Sequence, residues 1–438
     1  MVRGDMTLSG RKPARPSGRL LTVAFFLLLA LPGAALGQAD ERLRSLAGKE
    51  SPALLETLKE LVSIESGSRD LEGLDRLAGV VARRLQDLGG RVETIEPGEA
   101  YRMEDTPEKI GKMVRATFTG AGRKKILLIA HMDTVYRRGM IAEQPFRVAG
   151  ERAYGLGIAD DKQGIAVILH ALALLKVMNF NDYGALTVLV NGDEELSSPA
   201  SRALLTQLGA EHDAVLSFEC SFVEADKVAL ATSGIGSVTL TVRGRASHSG
   251  MAPEAGVNAL YELAHQILQT RDLSNPATGL KVNWTLADAG AARNVIPPAA
   301  RAIADVRVLR LADYDEIEKK LVERVKNKLL PEAAVEMKFE RRRPPLEATA
   351  ASRALAAHAR TIYRELGRDL LVDDAPEGGG TDAAFAALAT QAPVLERLGL
   401  QGYGSHTAED EYVLIDSIEP RLYLLARLIM DLAREKIR

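Results

Sequence analysis

Ile126-Leu127-Leu128-Ile129-Ala130, closed at once by His131-Met132-Asp133, is the stretch on which the fold turns. Consecutive apolar residues without alternation predict a strand buried on both faces, as in a parallel sheet covered by helices. Leu186–Val190 and Ala214–Phe218 read the same way. Between the first two, Ile165–Met178 has the length and apolar content of a buried helix, and Leu54–Val62 and Leu74–Leu88 carry helical apolar spacing. Strands alternating with helices, both buried, predict an α/β domain with a mixed, largely parallel sheet flanked by helices.

The pattern changes near residue 233. Val238, Leu240 and Val242 alternate with Ser237, Thr239 and Thr241, the period of a sheet with one face covered. Gly256–Thr270 then reads as helix, Lys281–Leu286 and Ala299–Leu309 as strands, Asp313–Leu329 as helix and Ala334–Phe339 as strand. The order strand-helix-strand-strand-helix-strand predicts a ferredoxin-like α+β module. Arg341-Arg342-Arg343-Pro344-Pro345 closes it, with Arg341 and Arg342 read as a solvated basic linker. Ser352–Leu366 and Ile418–Ile437 read as helices that return to the first domain. The expected organisation is a domain over 40–232 and 347–438, interrupted by an inserted domain over 233–346.

Ahead of these lies an export signal. Residues 1–20 hold Arg3, Arg11, Lys12, Arg15 and Arg19 against one acid, Asp5. The apolar run Leu20–Leu31 and the small residues around Gly33–Gly37 follow. That is a basic region, an apolar region and a cleavage site, and the run is shorter than the roughly 20 residues a membrane-spanning helix needs. The sequence therefore predicts a signal peptide over 1–37, a periplasmic or secreted protein, and no stable membrane anchor after cleavage. The remaining composition is globular: 438 residues, 46% hydrophobic and 26% charged, exclude a disordered tail or a fibre. A formal net charge of −3 gives no electrostatic footprint for nucleic acid. One cysteine, Cys220, excludes an internal disulfide and any cysteine-based zinc cluster; beside Glu219 it reads as buried filler.

In open α/β sheets ligands bind beyond the carboxyl ends of the strands. There the sequence sets His131-Met132-Asp133, Asp193-Glu194-Glu195 and Glu219, and it places Asp160-Asp161-Lys162 before the apolar helix. Each has a bland reading alone: a capped strand end, an acidic turn, a helix N-cap. Together, unpaired carboxylates packed side by side cost several kcal/mol of desolvation each, about as much as a buried charge, and cations between them remove that cost. Imidazole and carboxylate without thiolate suit zinc, or less specifically manganese or cobalt. No H-E-x-x-H motif occurs, and Gly155–Gly157 and Gly378-Gly379-Gly380 lack phosphate-loop spacing.

From about Pro52 onward the sequence resembles the glutamate carboxypeptidase (carboxypeptidase G-like) branch of the aminoacylase/carboxypeptidase di-zinc metallopeptidases. The resemblance is carried by His131-Met132-Asp133-Thr134-Val135, Gly157-Ile158-Ala159-Asp160-Asp161-Lys162, Asp193-Glu194-Glu195 and Ser217-Phe218-Glu219. It continues in Ala246-Ser247-His248-Ser249-Gly250, Asn294-Val295-Ile296-Pro297, Gly378-Gly379-Gly380-Thr381-Asp382-Ala383 and Gly404-Ser405-His406. Gln163 and Ser405 depart from the pattern, where Gly and an aromatic residue are expected.

The resemblance implies a metallo-carboxypeptidase that binds two Zn2+ per chain, with Co2+ or Mn2+ as substitutes. Asp160 would bridge the ions, His131 and Glu219 completing one and Glu195 and His406 the other. Glu194 would be the general base for a metal-bridging hydroxide, and Asp133 would orient His131 through its other ring nitrogen. The inserted domain would act as lid and dimerisation domain of a homodimer. His248 would stabilise the oxyanion in the partner's site, and Asn294 would donate to the substrate. Arg307 and Arg343 are read as carboxylate clamps, Lys227 as a residue near the substrate side chain, and Gly379 as a point of close backbone approach.

The implied substrate is a small molecule or short peptide with a free C-terminal carboxylate, a folate-like N-acyl glutamate above all. Two alternatives stand beside it. One is an N-acyl-amino-acid amidohydrolase or dipeptidase with another side-chain preference; the other is a non-catalytic binding protein that keeps the fold.

Overall fold

The computed structural model describes residues 39–376 and 378–437. The expected signal peptide lies outside them. Among the described residues no helix is long and apolar enough to cross a membrane.

The run that opens the sequence reading is the strand Lys125–His131, and its two faces enter different cores. Ile126, Leu128 and Ala130 pack into one apolar cluster, Leu127 and Ile129 into another. The strand sits inside a six-stranded sheet in the order Arg91–Ile95, Met113–Thr119, Ala185–Asn191, Lys125–His131, Ala214–Ser217, Val394–Leu395. The first two pairings are antiparallel and the remaining three parallel. Helices Glu41–Val62, Gln163–Val177, Ala350–Glu365 and Ile418–Ala433 supply the larger core. Asp40 caps the first, its side chain accepting from Leu43 N–H at 3.0 Å. The mixed α/β sheet flanked by helices is as expected.

The segment from Gly234 to Arg343 forms its own four-stranded sheet. Its order is Lys281–Ala289, Ala299–Val308, Gly234–Arg243, Ala334–Arg343, antiparallel throughout. Val238, Leu240 and Val242 are buried against helices Ala259–Thr270 and Ala312–Arg324, and the intervening residues are partly exposed. This is the one-sided burial that the alternation predicts. The final strand runs to Arg343, so Arg341 and Arg342 are strand residues and not a linker, although Arg341 is exposed as expected. Arg341 pairs with Asp315 and Glu318 at 2.7 Å each, and Arg342 with Asp105 at 2.8 Å. The described residues hold together as one compact unit.

A smaller sheet had no counterpart in the sequence reading: Arg147–Ala149, Arg152–Tyr154, Tyr412–Leu414, Gln401–Tyr403, Ser221–Phe222. Arg421, in helix Ile418–Ala433, is fully buried. It pairs with Asp226 and donates to the carbonyls of Arg397 at 2.8 Å and Lys227 at 2.9 Å. Removing one partner of a buried ion pair strands the other, so Arg421→Met is expected to cost about 3–5 kcal/mol, measurable by urea unfolding.

Candidate active site

Three adjacent parallel strands end together on one edge of the large sheet, with His131 opposite Asn191 and Ile129 opposite Ser217. His131 is the last residue of the middle strand; Glu194 and Glu195 lie just past one neighbour and Glu219 just past the other. Asp160 comes from the turn before helix Gln163–Val177, the crossover between the first two strands. Gly157 opens this turn at φ 70°, where a Cβ would lie 2.4 Å from Thr134 Cγ2. His406 comes from the loop after Gln401–Tyr403.

The side chains converge in two groups that share Asp160. His131 Nε2 lies 2.9 Å from Asp160 Oδ1 and 3.5 Å from Glu219 Oε1. His406 Nε2 lies 3.2 Å from Asp160 Oδ2 and 3.2 Å from Glu195 Oε2. Within each group the donor atoms are within 4.8 Å of one another. Burial and the Asp160 charge push the Glu195 carboxyl up to about 7, and burial also raises Glu194. Hydrogen bonds to Asp160 and Glu195 push His406 up to about 11. Burial lowers His131, but Asp133, Asp160 and Glu219 overcome it and raise it well above the usual imidazole range. The cluster thus draws in positive charge wherever it can.

Whether divalent metal suits these residues is tested by their chemistry. The donors are carboxylate oxygens and imidazole nitrogens, and buried Glu195 Oε1 has no hydrogen-bond partner. Burial pushes the nearby Cys220 thiol up to about 12, which keeps it neutral and a poor ligand. The set fits zinc, manganese or cobalt.

Backbone and charge contacts hold the acidic turn. The Asp133 carboxylate accepts from the N–H groups of Glu194 at 3.0 Å and Glu195 at 3.1 Å. It lies farther, 3.5 Å, from His131 Nδ1, which is 3.0 Å from the Asp133 carbonyl. Asp133 therefore meets the imidazole through its carbonyl and, at longer range, through a carboxylate shared with the N–H groups of the turn. Glu194 Oε1 is 2.8 Å from Arg343 Nη1, whose guanidinium also donates to the Glu194 carbonyl at 2.7 Å and to Asp382 at 2.9 Å.

The model of peptidase family M20/M25/M40 matches residues 127–431. Carboxypeptidase G2 of Pseudomonas sp. (strain RS-16) is 44% identical over 424 residues, 96% of this chain and 100% of that protein. The chain belongs to peptidase family M20/M25/M40. The acetylornithine deacetylase of Klebsiella pneumoniae (strain 342) is 31% identical over 233 residues, 51% of this chain and 57% of that one. Among solved structures, aminopeptidase PepT from Bacillus cereus superposes with a TM-score of 0.70 at 21% identity, covering 87% of this chain and 99% of the other. The expected family and enzyme class, a metallo-carboxypeptidase, are borne out.

In this M20 peptidase a cavity of about 660 Å³ opens over the acidic cluster. Asp160, Glu194, Glu195, Glu219 and His406 line it, with Arg307, Arg343 and Gly379 of the expected substrate residues. Gly380 beside it is packed so closely that a Cβ would meet Arg343 Cδ at 2.4 Å. Lys227 is not brought to this cavity. Its ammonium pairs with Asp373 at 3.5 Å and lies 4.5 Å from the centre of the Phe222 ring. His248 and Asn294 are neighbours on exposed loops of the inserted sheet, Ser249 N–H donating to the Asn294 carbonyl at 3.0 Å, and neither lines the cavity of its own chain.

Three contributors have no role assigned in the sequence reading. Asp382 accepts from Arg343, Ser198 and Asn191, fixing the clamp on Glu194. Glu411 is buried in what reads as a polar loop, and accepts from Gly157 N–H at 2.8 Å, Ala159 N–H at 2.9 Å and Asp160 N–H at 3.2 Å. Arg397 lines the cavity just beyond the short strand Val394–Leu395. An apolar Val-Leu pair ended by Glu396-Arg397 was the available signal. Departing Gln163 also has a place: it donates to Asp161 at 2.7 Å and to the Phe218 carbonyl at 2.8 Å, tying the Asp160 turn to the strand end before Glu219.

Proposed function

We propose that this peptidase is a periplasmic or secreted di-zinc carboxypeptidase that releases C-terminal glutamate from folate-like N-acyl glutamates or small peptides. The observation that carries this reading is the pair of donor groups sharing Asp160 and facing, beside Glu194, a cavity lined by arginines. Full-length similarity to carboxypeptidase G2 supports the carboxypeptidase assignment. His131, Asp160 and Glu219 would hold one ion, and Asp160, Glu195 and His406 the other. When bound, such ions acidify water and polarise a scissile carbonyl.

The chain's own residues supply the rest. Glu194, buried and anchored by Arg343, would take the proton of the attacking water on its carboxylate and deliver it to the departing amine. Asp133 holds the N–H groups of Glu194 and Glu195, so the base and its neighbouring ligand are aimed apart. Arg343 would lie near the substrate's α-carboxylate, two bonds from the scissile nitrogen. A homodimer through the inserted domain would let His248 and Asn294 serve the partner's cavity; the exposed Tyr261, Leu268 and Leu286 on that domain support pairing.

Metal analysis together with glutamate release from pteroyl-glutamate and its aspartate analogue tests the reading. Two zinc ions per chain and a strong preference for the glutamate compound are expected. Cleavage of N-acyl amino acids without regard to the side chain would instead favour the amidohydrolase, and absence of any zinc-dependent cleavage would leave only a binding protein. A further check concerns Glu411, which cradles the Asp160 turn. Glu411→Gln sets an amide against backbone N–H groups and is expected to weaken zinc binding about 10- to 100-fold, as loss of a ligand's supporting partner does, read by competition with a chelating dye.

A further inference from the structure

Among the described residues three guanidinium groups line the cavity, and two are already engaged. Arg307 holds Asp305 through two hydrogen bonds, 2.9 and 3.1 Å, and the Gly378 carbonyl at 2.9 Å. Arg343 is clamped between Glu194 and Asp382. Arg397 differs. Its guanidinium donates to the Cys220 carbonyl at 2.9 Å and stacks 4.4 Å from the centre of the Phe222 ring, and among the described residues no carboxylate pairs with it.

The fold also holds Arg397 in a particular pose. Val394–Leu395 runs parallel to Ala214–Ser217, so Arg397 emerges on the sheet edge that carries Glu219. Its φ is 65°, in the left-handed region that residues with a side chain rarely adopt. Such a conformation persists where the surroundings over-determine it, and clusters at functional sites. Here the Arg397 N–H donates to Glu396 at 2.6 Å and its carbonyl accepts from buried Arg421 at 2.8 Å.

We infer that Arg397 reads the side-chain carboxylate of the C-terminal glutamate, with the Phe222 ring as the apolar wall for its methylenes. The inference rests on the glutamate-releasing function proposed above and names the residue that confers it. Arg343 touches Glu194 and so stands near the scissile bond, where the α-carboxylate must lie. Arg397, held to the backbone of Cys220 beside Glu219, is the cation left for the more distant side-chain charge. A guanidinium suits this task because it offers a planar fork to a carboxylate and keeps its charge when half-buried. Lys227, stacked on the same ring but paired with Asp373, backs this arrangement from outside the cavity.

The test compares wild type with Arg397→Gln and Arg397→Lys on a pair of substrates sharing one acyl group and ending in glutamate or in its neutral isostere glutamine. Arg397→Gln is expected to lower kcat/KM for the glutamate substrate about 10- to 100-fold, the span of one charge-assisted hydrogen bond, and to leave the glutamine substrate within about twofold. Inhibition by glutarate, a binding readout independent of turnover, should weaken in step, and Arg397→Lys should restore part of both. Equal losses on the two substrates, or no loss on either, would overturn the assignment. A wild-type enzyme that releases no glutamate would instead remove the functional reading on which it stands. Zinc content and melting temperature unchanged from wild type certify that a variant is folded; should Arg397→Gln fail that check, Arg397→Lys alone decides, through the ratio of the two substrates.

Discussion

Glu194→Gln is expected to lower kcat by about 10²- to 10⁴-fold, the range of general acid–base catalysis, while zinc content stays at two per chain and KM changes little. The substitution keeps the size of a side chain that burial holds above the ordinary carboxyl range and that Arg343 opposes. The amide can still accept from Arg343 at the Oε1 position, and Asp382 still neutralises the guanidinium. The turn should therefore keep its shape, with Asp133 continuing to hold the N–H groups of residues 194 and 195. Only the capacity to take and return a proton is lost. Paired measurements of turnover and metal content distinguish this from ligand loss: a variant that keeps substantial activity ends Glu194's role as base, and one that sheds zinc shows that Glu194 supports the metal sites.

What the sequence revealed and what it concealed follow from the length of each structural signal. The buried strands were legible because five apolar residues in a row have few other uses, and their ends pointed to His131, Glu194, Glu195 and Glu219 before any coordinates. The insert was legible because alternation at Val238, Leu240 and Val242 leaves one face covered. The five-stranded sheet that presents His406 was not, since its strands are two or three residues long and show no period. Ion pairing defeated the reading of several cations. Arg342 reads as solvated because a carboxylate distant in sequence, Asp105, is invisible in the run itself. Lys227 pairs with Asp373 against the Phe222 ring, a partner its sequence neighbours do not reveal, and Arg397 carries no sequence signal beyond the short strand Val394–Leu395. Asp133 lies beside His131, yet the hydrogen bonds of its side chain depend on which N–H groups a turn leaves unpaired, and spacing does not report that.

The largest effect on metal binding should come from Asp160, among the described residues the one side chain with an oxygen toward each imidazole. Asp160→Asn keeps the turn's shape, because Glu411 grips it through backbone N–H groups, but it removes the charge common to both donor groups. Zinc content is expected to fall from two per chain to one or fewer, and activity to background. The loss should also show in stability. Zinc at a thousand times its dissociation constant stabilises a protein that binds it only when folded by about 4 kcal/mol, and the variant should forfeit most of that gain. Proton release gives the sign with pH. His131 and His406 carry folded pKa values raised by their carboxylate neighbours, so in the metal-free protein their protonated forms are favoured and must lose their protons to bind metal. Zinc affinity should therefore fall as the pH is lowered, and calorimetry in buffers of different ionisation enthalpy should record protons released on binding. Fewer protons should leave in Asp160→Asn, because His406 owes its raised pKa first to Asp160. A variant that retained two tightly bound ions would show that Asp160 does not bridge them.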